Sequence, residues 1–128
     1  MHAIHTPDAP AAIGPYQQAV WAGSTLFLSG QLGLHPQTGI LCRGVKAQAQ
    51  QAFQNIEAIL TAASLDLSNV VKMTIFVQDL QDFAIVNRVM QNVFDSKKIA
   101  YPARSCVEVA RLPKDSLVEI RAIAYRHE

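Results

Sequence analysis

Between residues 45 and 64 the apolar side chains Ala49, Ala52, Phe53, Ile56, Ile59, Leu60 and Ala63 recur at three- and four-residue intervals. That spacing predicts a helix with one apolar stripe. Gln48, Gln50, Gln51 and Gln54 fall mostly around its other face. Residues 65–69 make a short connection to Val70–Val77, a β-branched run that reads as a strand. Simple alternation puts Val71, Met73, Ile75 and Val77 on one face of this strand, and Val70 and Phe76 on the other. Apolar groups on both faces ask for cover on both sides. Asp79 is an N-cap candidate for a second helix, with Asp82 at its third position favoured by the positive end of the dipole. This helix runs to about residue 94, and Phe83, Val86, Met90, Val93 and Phe94 form its stripe, with Asn87 at the stripe's edge.

The flanking segments carry shorter patterns. Residues 1–15 hold His2, His5, Pro7, Pro10 and Pro15 and read as an extended arm. Residues 17–22 and 25–30 are strands joined by Gly23-Ser24, which makes an N-terminal hairpin. Residues 31–44, with Gly33, Pro36, Gly39 and Gly44, read as a loop. Near the C-terminus, Pro102 removes a ladder donor and biases Ala103 to an extended backbone, so a strand begins near Arg104. Arg104, Cys106 and Glu108 share one of its faces; Ser105, Val107 and Val109 share the other. Leu112-Pro113-Lys114-Asp115-Ser116 has the composition of a hairpin or tight loop. In the strand that follows, Glu119, Arg121 and Ile123 oppose Val118, Ile120, Ala122 and Ala124. Pairing of these two strands would bring the Arg104 guanidinium close to the Glu119 carboxylate.

The order is therefore β-β-α-β-α-β-β in one domain over residues 1–128, an α+β fold with one mixed sheet packed by two helices on one face. Two helices cover a single face. The other face, including one side of the apolar central strand, would be an exposed patch of the kind monomers avoid, so self-association is expected.

Composition narrows the function classes. Half of the residues are apolar and 16% are charged, which argues against a disordered chain and for extensive burial. The formal net charge is +1 and no basic cluster exceeds Lys97-Lys98, which argues against a nucleic-acid partner. Cys42 and Cys106 do not make a disulfide framework, and His2 and His5 lack the rest of a metal set. No leader-like segment or membrane-length apolar run is present, so the expected setting is cytoplasmic.

The stretch Pro-Ala-Arg-Ser-Cys-Val-Glu-Val-Ala-Arg-Leu-Pro-Lys-Asp from Pro102 to Asp115, followed by Val118-Glu119-Ile120, resembles the motif of the Rid family. These reactive-intermediate deaminases are also called the YjgF family, and were formerly described as L-PSP endoribonucleases. Ala12-Ile13-Gly14-Pro15-Tyr16 with Gln18-Ala19-Val20, Ser29-Gly30-Gln31, and the Asn87 of an Asp-Phe-Ala-x-Val-Asn stretch are similar to further family motifs. The 31–44 loop departs from the commoner family form. The resemblance covers residues 11–124 and implies a chorismate-mutase-like fold and a homotrimer with sites at subunit interfaces. It implies hydrolysis of enamine and imine intermediates, such as 2-aminoacrylate, released by pyridoxal-phosphate enzymes, without a cofactor or metal.

Physical chemistry assigns the residues in the same sense. A small 2-imino acid presents a carboxylate, and arginine grips one with two parallel hydrogen bonds, which gives Arg104 its role. Addition of water needs a group that orients it and manages protons, which gives Glu119 its role. Tyr16, Ser29, Gly30 and Asn87 would line the pocket, and Cys106 would contribute backbone groups, since no histidine is placed to activate its thiol. Other readings stay open on the residues alone. Arg104 and Glu119 can be a surface pair on a half-exposed sheet, Ser29 can satisfy backbone, and Ser29 can pair with His35 as a nucleophile. A 2-oxo-acid-binding regulatory module without turnover, or an endoribonuclease and translation inhibitor, are the alternative functions.

Overall fold

The computed structural model describes residues 2–127; Met1 of the predicted arm and Glu128 at the end of the predicted domain lie outside the described residues. The chain runs β1 (His2–Ile4), β2 (Ala19–Ala22), β3 (Thr25–Leu28), β4 (Gln31–Leu32), α1 (Val45–Ala62), β5 (Val70–Val77), α2 (Phe83–Ser96), β6 (Ala103–Glu108) and β7 (Val118–Tyr125). All seven strands join one sheet in the order β1-β2-β3-β7-β5-β6, with β4 also pairing β7. The β5–β6 pair is parallel and the others are antiparallel, so the sheet is mixed, as expected.

Both helices lie on one face. Phe53, Ile56, Ile59 and Leu60 of α1 and Val86 and Phe94 of α2 are fully buried against Leu26, Met73, Ile75 and Ile120 of the sheet. Each such side chain removed from water contributes about 1.5–3 kcal/mol, and this single layer is the core. Val118, Ile120, Ala122 and Ala124 of β7 all point into it, while Glu119, Arg121 and Ile123 point away. No helix among the described residues is long and apolar enough to cross a membrane.

The structure corrects five sequence expectations. First, the arm and the loop each hold a short strand, β1 and β4, too brief to show a period. Second, β5 carries a bulge between Val70 and Lys72. The extra residue resets the alternation, so Val70 (6% exposed) and Met73 face the helices while Val71 (46% exposed) faces outward. Third, Asp79 caps a 3₁₀ turn, Leu80–Asp82, by accepting from the Gln81 N–H, and α2 follows it. Fourth, Gln48 is buried rather than on the polar face of α1. Fifth, β6 and β7 are not a hairpin: β5 lies between them.

The sheet's second face is open. Val20, Phe27, Ile123 and Lys72 form one register row across it, and Leu32, Glu119, Phe76 and Val107 form another. Phe27, Val107 and Tyr125 are exposed there. This face is less apolar than expected, because β5 contributes Lys72 and Thr74 beside Phe76.

Candidate functional site

The register fixes where Arg104 and Glu119 point. Arg104 is opposite Met73 on β5, and Met73 faces the helices. Glu119 is opposite Phe76, which faces the other way. The two side chains therefore project from opposite faces of the sheet and are separated by β5. They are not partners within one chain, which removes the surface-pair reading and the expected approach on paired strands.

Each instead belongs to its own cleft. Arg104 borders a cleft of about 390 Å³ with Asn87, Met90, Tyr101 and Pro102. Its Nη1 donates to Asn87 Oδ1, and also lies 3.9 Å from Met90 Sδ. The guanidinium carbon sits 5.2 Å from the centroid of the Phe83 ring. Asn87 thus holds the guanidinium rather than backbone. Cys106, two residues on and on the same face, packs partly against the core. Burial pushes its thiol pKa up, only partly opposed by the Arg104 charge, so the thiol stays protonated and no nucleophile is made.

Glu119 lies in a second cleft of about 460 Å³, shared with Tyr16, Ser29, Gly30, Gln18 and Lys114. Its neighbours across the ladder are Leu32 and Phe76. Burial raises its carboxyl pKa above the ordinary value of 4.5, and the Arg121 guanidinium opposes that shift. A carboxylate that is costly to ionise and open to a cleft is suited to taking and returning a proton.

The backbone explains how Glu119 reaches this position. β3 and β4 pair with successive parts of β7, and the ladder is interrupted at Ser29-Gly30. A Cβ on Gly30 would overlap Glu119 Oε2, so only glycine lets the carboxylate lie against the chain there. Gly30→Ala is expected to displace the Glu119 side chain and lower turnover at least tenfold while the fold is retained. Unchanged turnover in that variant would remove Gly30 from the site.

Ser29 satisfies backbone: its Oγ donates to Gln17 O at 2.6 Å, which ties the Tyr16-Gln17 segment to the sheet. His35 Nδ1 accepts from the Gln37 N–H at 3.3 Å, and with Ser29 Oγ donating to Gln17 O no Ser29–His35 hydrogen bond is found among the described residues. Among the described residues no group of three or more His, Cys, Asp and Glu side chains is placed to hold a metal.

Apart from Cys106, which packs against the core, every candidate site residue lines one of these two clefts. A family model described as Endoribonuclease L-PSP matches residues 6–126. The chain belongs to this family, the Rid (YjgF) family. A 2-iminobutanoate/2-iminopropanoate deaminase of Salmonella typhimurium is 52% identical over 123 residues, which is 96% of each chain. TdcF of Escherichia coli K12, named as a putative reactive intermediate deaminase, is 50% identical over 96% of this chain and 95% of its own. A crystal structure of E. coli TdcF with bound serine superposes with a TM-score of 0.96 at 49% identity, covering 99% of this chain and 100% of that one.

In this Rid chain two buried amides do positioning work that the sequence pattern did not reveal. Gln18 accepts from the Thr6 N–H at 2.7 Å and donates to Thr6 O and Pro10 O at 3.1 and 2.9 Å, fastening the arm that walls the Glu119 cleft. Gln48 Oε1 accepts from the Leu117 N–H at 2.8 Å and from Ser116 Oγ at 3.2 Å, fixing the start of β7 just before Glu119. A Cβ on Gly33 would overlap the Gln48 backbone, so the β4 segment also needs glycine to approach α1.

Proposed function

We propose that the chain is an enamine/imine deaminase that hydrolyses small 2-imino acids, such as the imine of 2-aminoacrylate, to 2-oxo acids and ammonia. Arg104 grips the substrate carboxylate. Glu119 orients a water, which adds to the C=N carbon; the nitrogen takes up a proton, and the carbinolamine loses ammonia to leave the ketone. Atoms balance with water as the only co-reactant. The near-neutral charge supplies little counterion release for RNA, so the endoribonuclease description of the family is not the favoured reading here.

The observation that carries the proposal is the separation of Arg104 and Glu119 onto opposite faces, each in a cleft with part of the motif set. A carboxylate grip and a water-orienting acid act on one small molecule only if a neighbouring copy supplies one of them. The open face, with Phe27, Val107 and Tyr125 exposed, supports such an interface, and the resemblance implies a homotrimer. Light scattering is expected to give three times the mass of one chain; a stable monomer at micromolar concentration would end the shared-site argument.

The activity is tested by generating 2-aminoacrylate with a pyridoxal-phosphate serine dehydratase and following pyruvate with and without this protein. Acceleration over the spontaneous reaction is the expected result, and no acceleration overturns the assignment. Sharing between copies is tested by mixing two variants, Arg104→Ala and Glu119→Gln, unfolding and refolding them together. In random equal mixtures about a quarter of the sites then regain both residues and wild-type turnover. No recovery in verified mixed oligomers would mean the site lies within one chain.

A further inference from the structure

The guanidinium of Arg104 is held by three residues of one helix. Phe83, Asn87 and Met90 recur at i, i+4 and i+7 on α2, so they lie on one face and present a ring, an amide oxygen and a thioether toward β6. From the pattern alone Phe83 and Met90 read as core stripe. Yet Phe83 is only partly buried, and the Arg104 guanidinium carbon lies over its ring, 5.2 Å from the centroid. Both hydrogen bonds that Arg104 makes to described residues leave from Nη1, to Asn87 Oδ1 and to Met90 Sδ. Its Nε and Nη2 make none. Arg104 lies near the start of an edge strand, and β6 has no neighbour among the described strands on its outer side to restrain a long side chain. Without a support the guanidinium would sample many rotamers, and ordering it on binding costs affinity.

We infer that Phe83 is a positioning residue for the reaction: its ring fixes the plane of the Arg104 guanidinium, Asn87 fixes the rotation within that plane, and the Nε–Nη2 edge is thereby presented to the substrate carboxylate. A ring beneath a guanidinium attracts it electrostatically and restricts it to the parallel plane in which two N–H groups meet two carboxylate oxygens. Selectivity follows from the same arrangement. A planar 2-imino or 2-oxo acid carboxylate, approaching edge-on, keeps both hydrogen bonds; a ligand that must tilt keeps one. This inference rests on Arg104 being the carboxylate grip.

The test compares Phe83→Leu, which keeps apolar bulk but removes the ring, with Phe83→Tyr, which keeps the ring. Calorimetric titration of 2-oxobutanoate into the intact oligomers is expected to show about three- to tenfold weaker binding in Phe83→Leu, and binding within twofold of wild type in Phe83→Tyr. Nitrogen-edited spectra give a second readout. The Arg104 side-chain protons, assigned by their loss in Arg104→Ala, should carry an upfield ring-current shift that Phe83→Leu abolishes and Phe83→Tyr keeps. Equal loss of affinity in both variants with the ring-current shift intact makes Phe83 a packing residue and overturns the inference. So does wild-type affinity in Phe83→Leu when Arg104→Ala has lost binding, and in that case Arg104 as the grip stands. Wild-type affinity in Arg104→Ala overturns the grip itself.

Discussion

Glu119→Gln is expected to lower turnover by roughly 10²–10⁴, the range for a positioned acid or base, while 2-oxo-acid affinity changes much less. The amide has the same shape and still fits beside Gly30, but it cannot take a proton from water. Leu32 and Phe76 flank the carboxylate on the ladder, and its burial raises the carboxyl pKa despite the Arg121 charge. In the wild type, kcat/KM should therefore fall as pH drops through a midpoint above the ordinary glutamate value of 4.5, and this limb should vanish in the variant. The sign for stability is separate. A carboxyl whose pKa is higher folded than unfolded costs stability once it is ionised, at pH above both values. The neutral amide carries no such cost at neutral pH, so Glu119→Gln should be no less stable and its lost turnover cannot be ascribed to unfolding. Unchanged turnover in an intact oligomer would favour a 2-oxo-acid-binding module that does not catalyse.

How far this site is legible in the sequence depends on which interactions set each feature. The stripe of α1 and the β-branched run of β5 are local patterns, and Val70–Val77 appears with the expected bounds. Alternation also places Arg104 with Cys106 and Glu108, and Glu119 with Arg121 and Ile123, as the structure does. What alternation cannot supply is the relation between two strands that do not touch. The break at residues 112–116 has hairpin composition, but the chain there passes over β5 instead of turning back beside β6. With β5 inserted between the strands, the register puts the Arg104 and Glu119 side chains on opposite faces. The bulge at Val71 is equally hidden, since one extra residue leaves no mark in a run of valines. The buried amides Gln18 and Gln48 serve backbone far away in sequence, and no local pattern distinguishes them from solvent-facing glutamines.

Arg104→Ala is expected to abolish detectable binding of pyruvate and 2-oxobutanoate with assembly retained. The side chain leaves the second residue of β6, just after Pro102 and Ala103, so backbone pairing to Met73 sets its origin. Phe83 and Asn87 set its far end. Arg104 is itself exposed, so its truncation to alanine opens no core cavity and assembly is expected to persist. Arg104→Lys is the finer probe. Lysine keeps the charge but offers one compact ammonium on a flexible stem, so one of two parallel hydrogen bonds is lost. Hydrogen bonds to charged groups are worth about 1.5–3 kcal/mol, which predicts a fall in affinity of about tenfold or more. Turnover should fall with affinity, because a carboxylate free to pivot about one contact would no longer hold the C=N carbon at the water that Glu119 is proposed to orient. Calorimetric titration into both variants, with mass checked by light scattering, decides the matter. Wild-type affinity in Arg104→Ala would show that the carboxylate is held elsewhere, and the cleft beside α2 would then have no part in substrate binding.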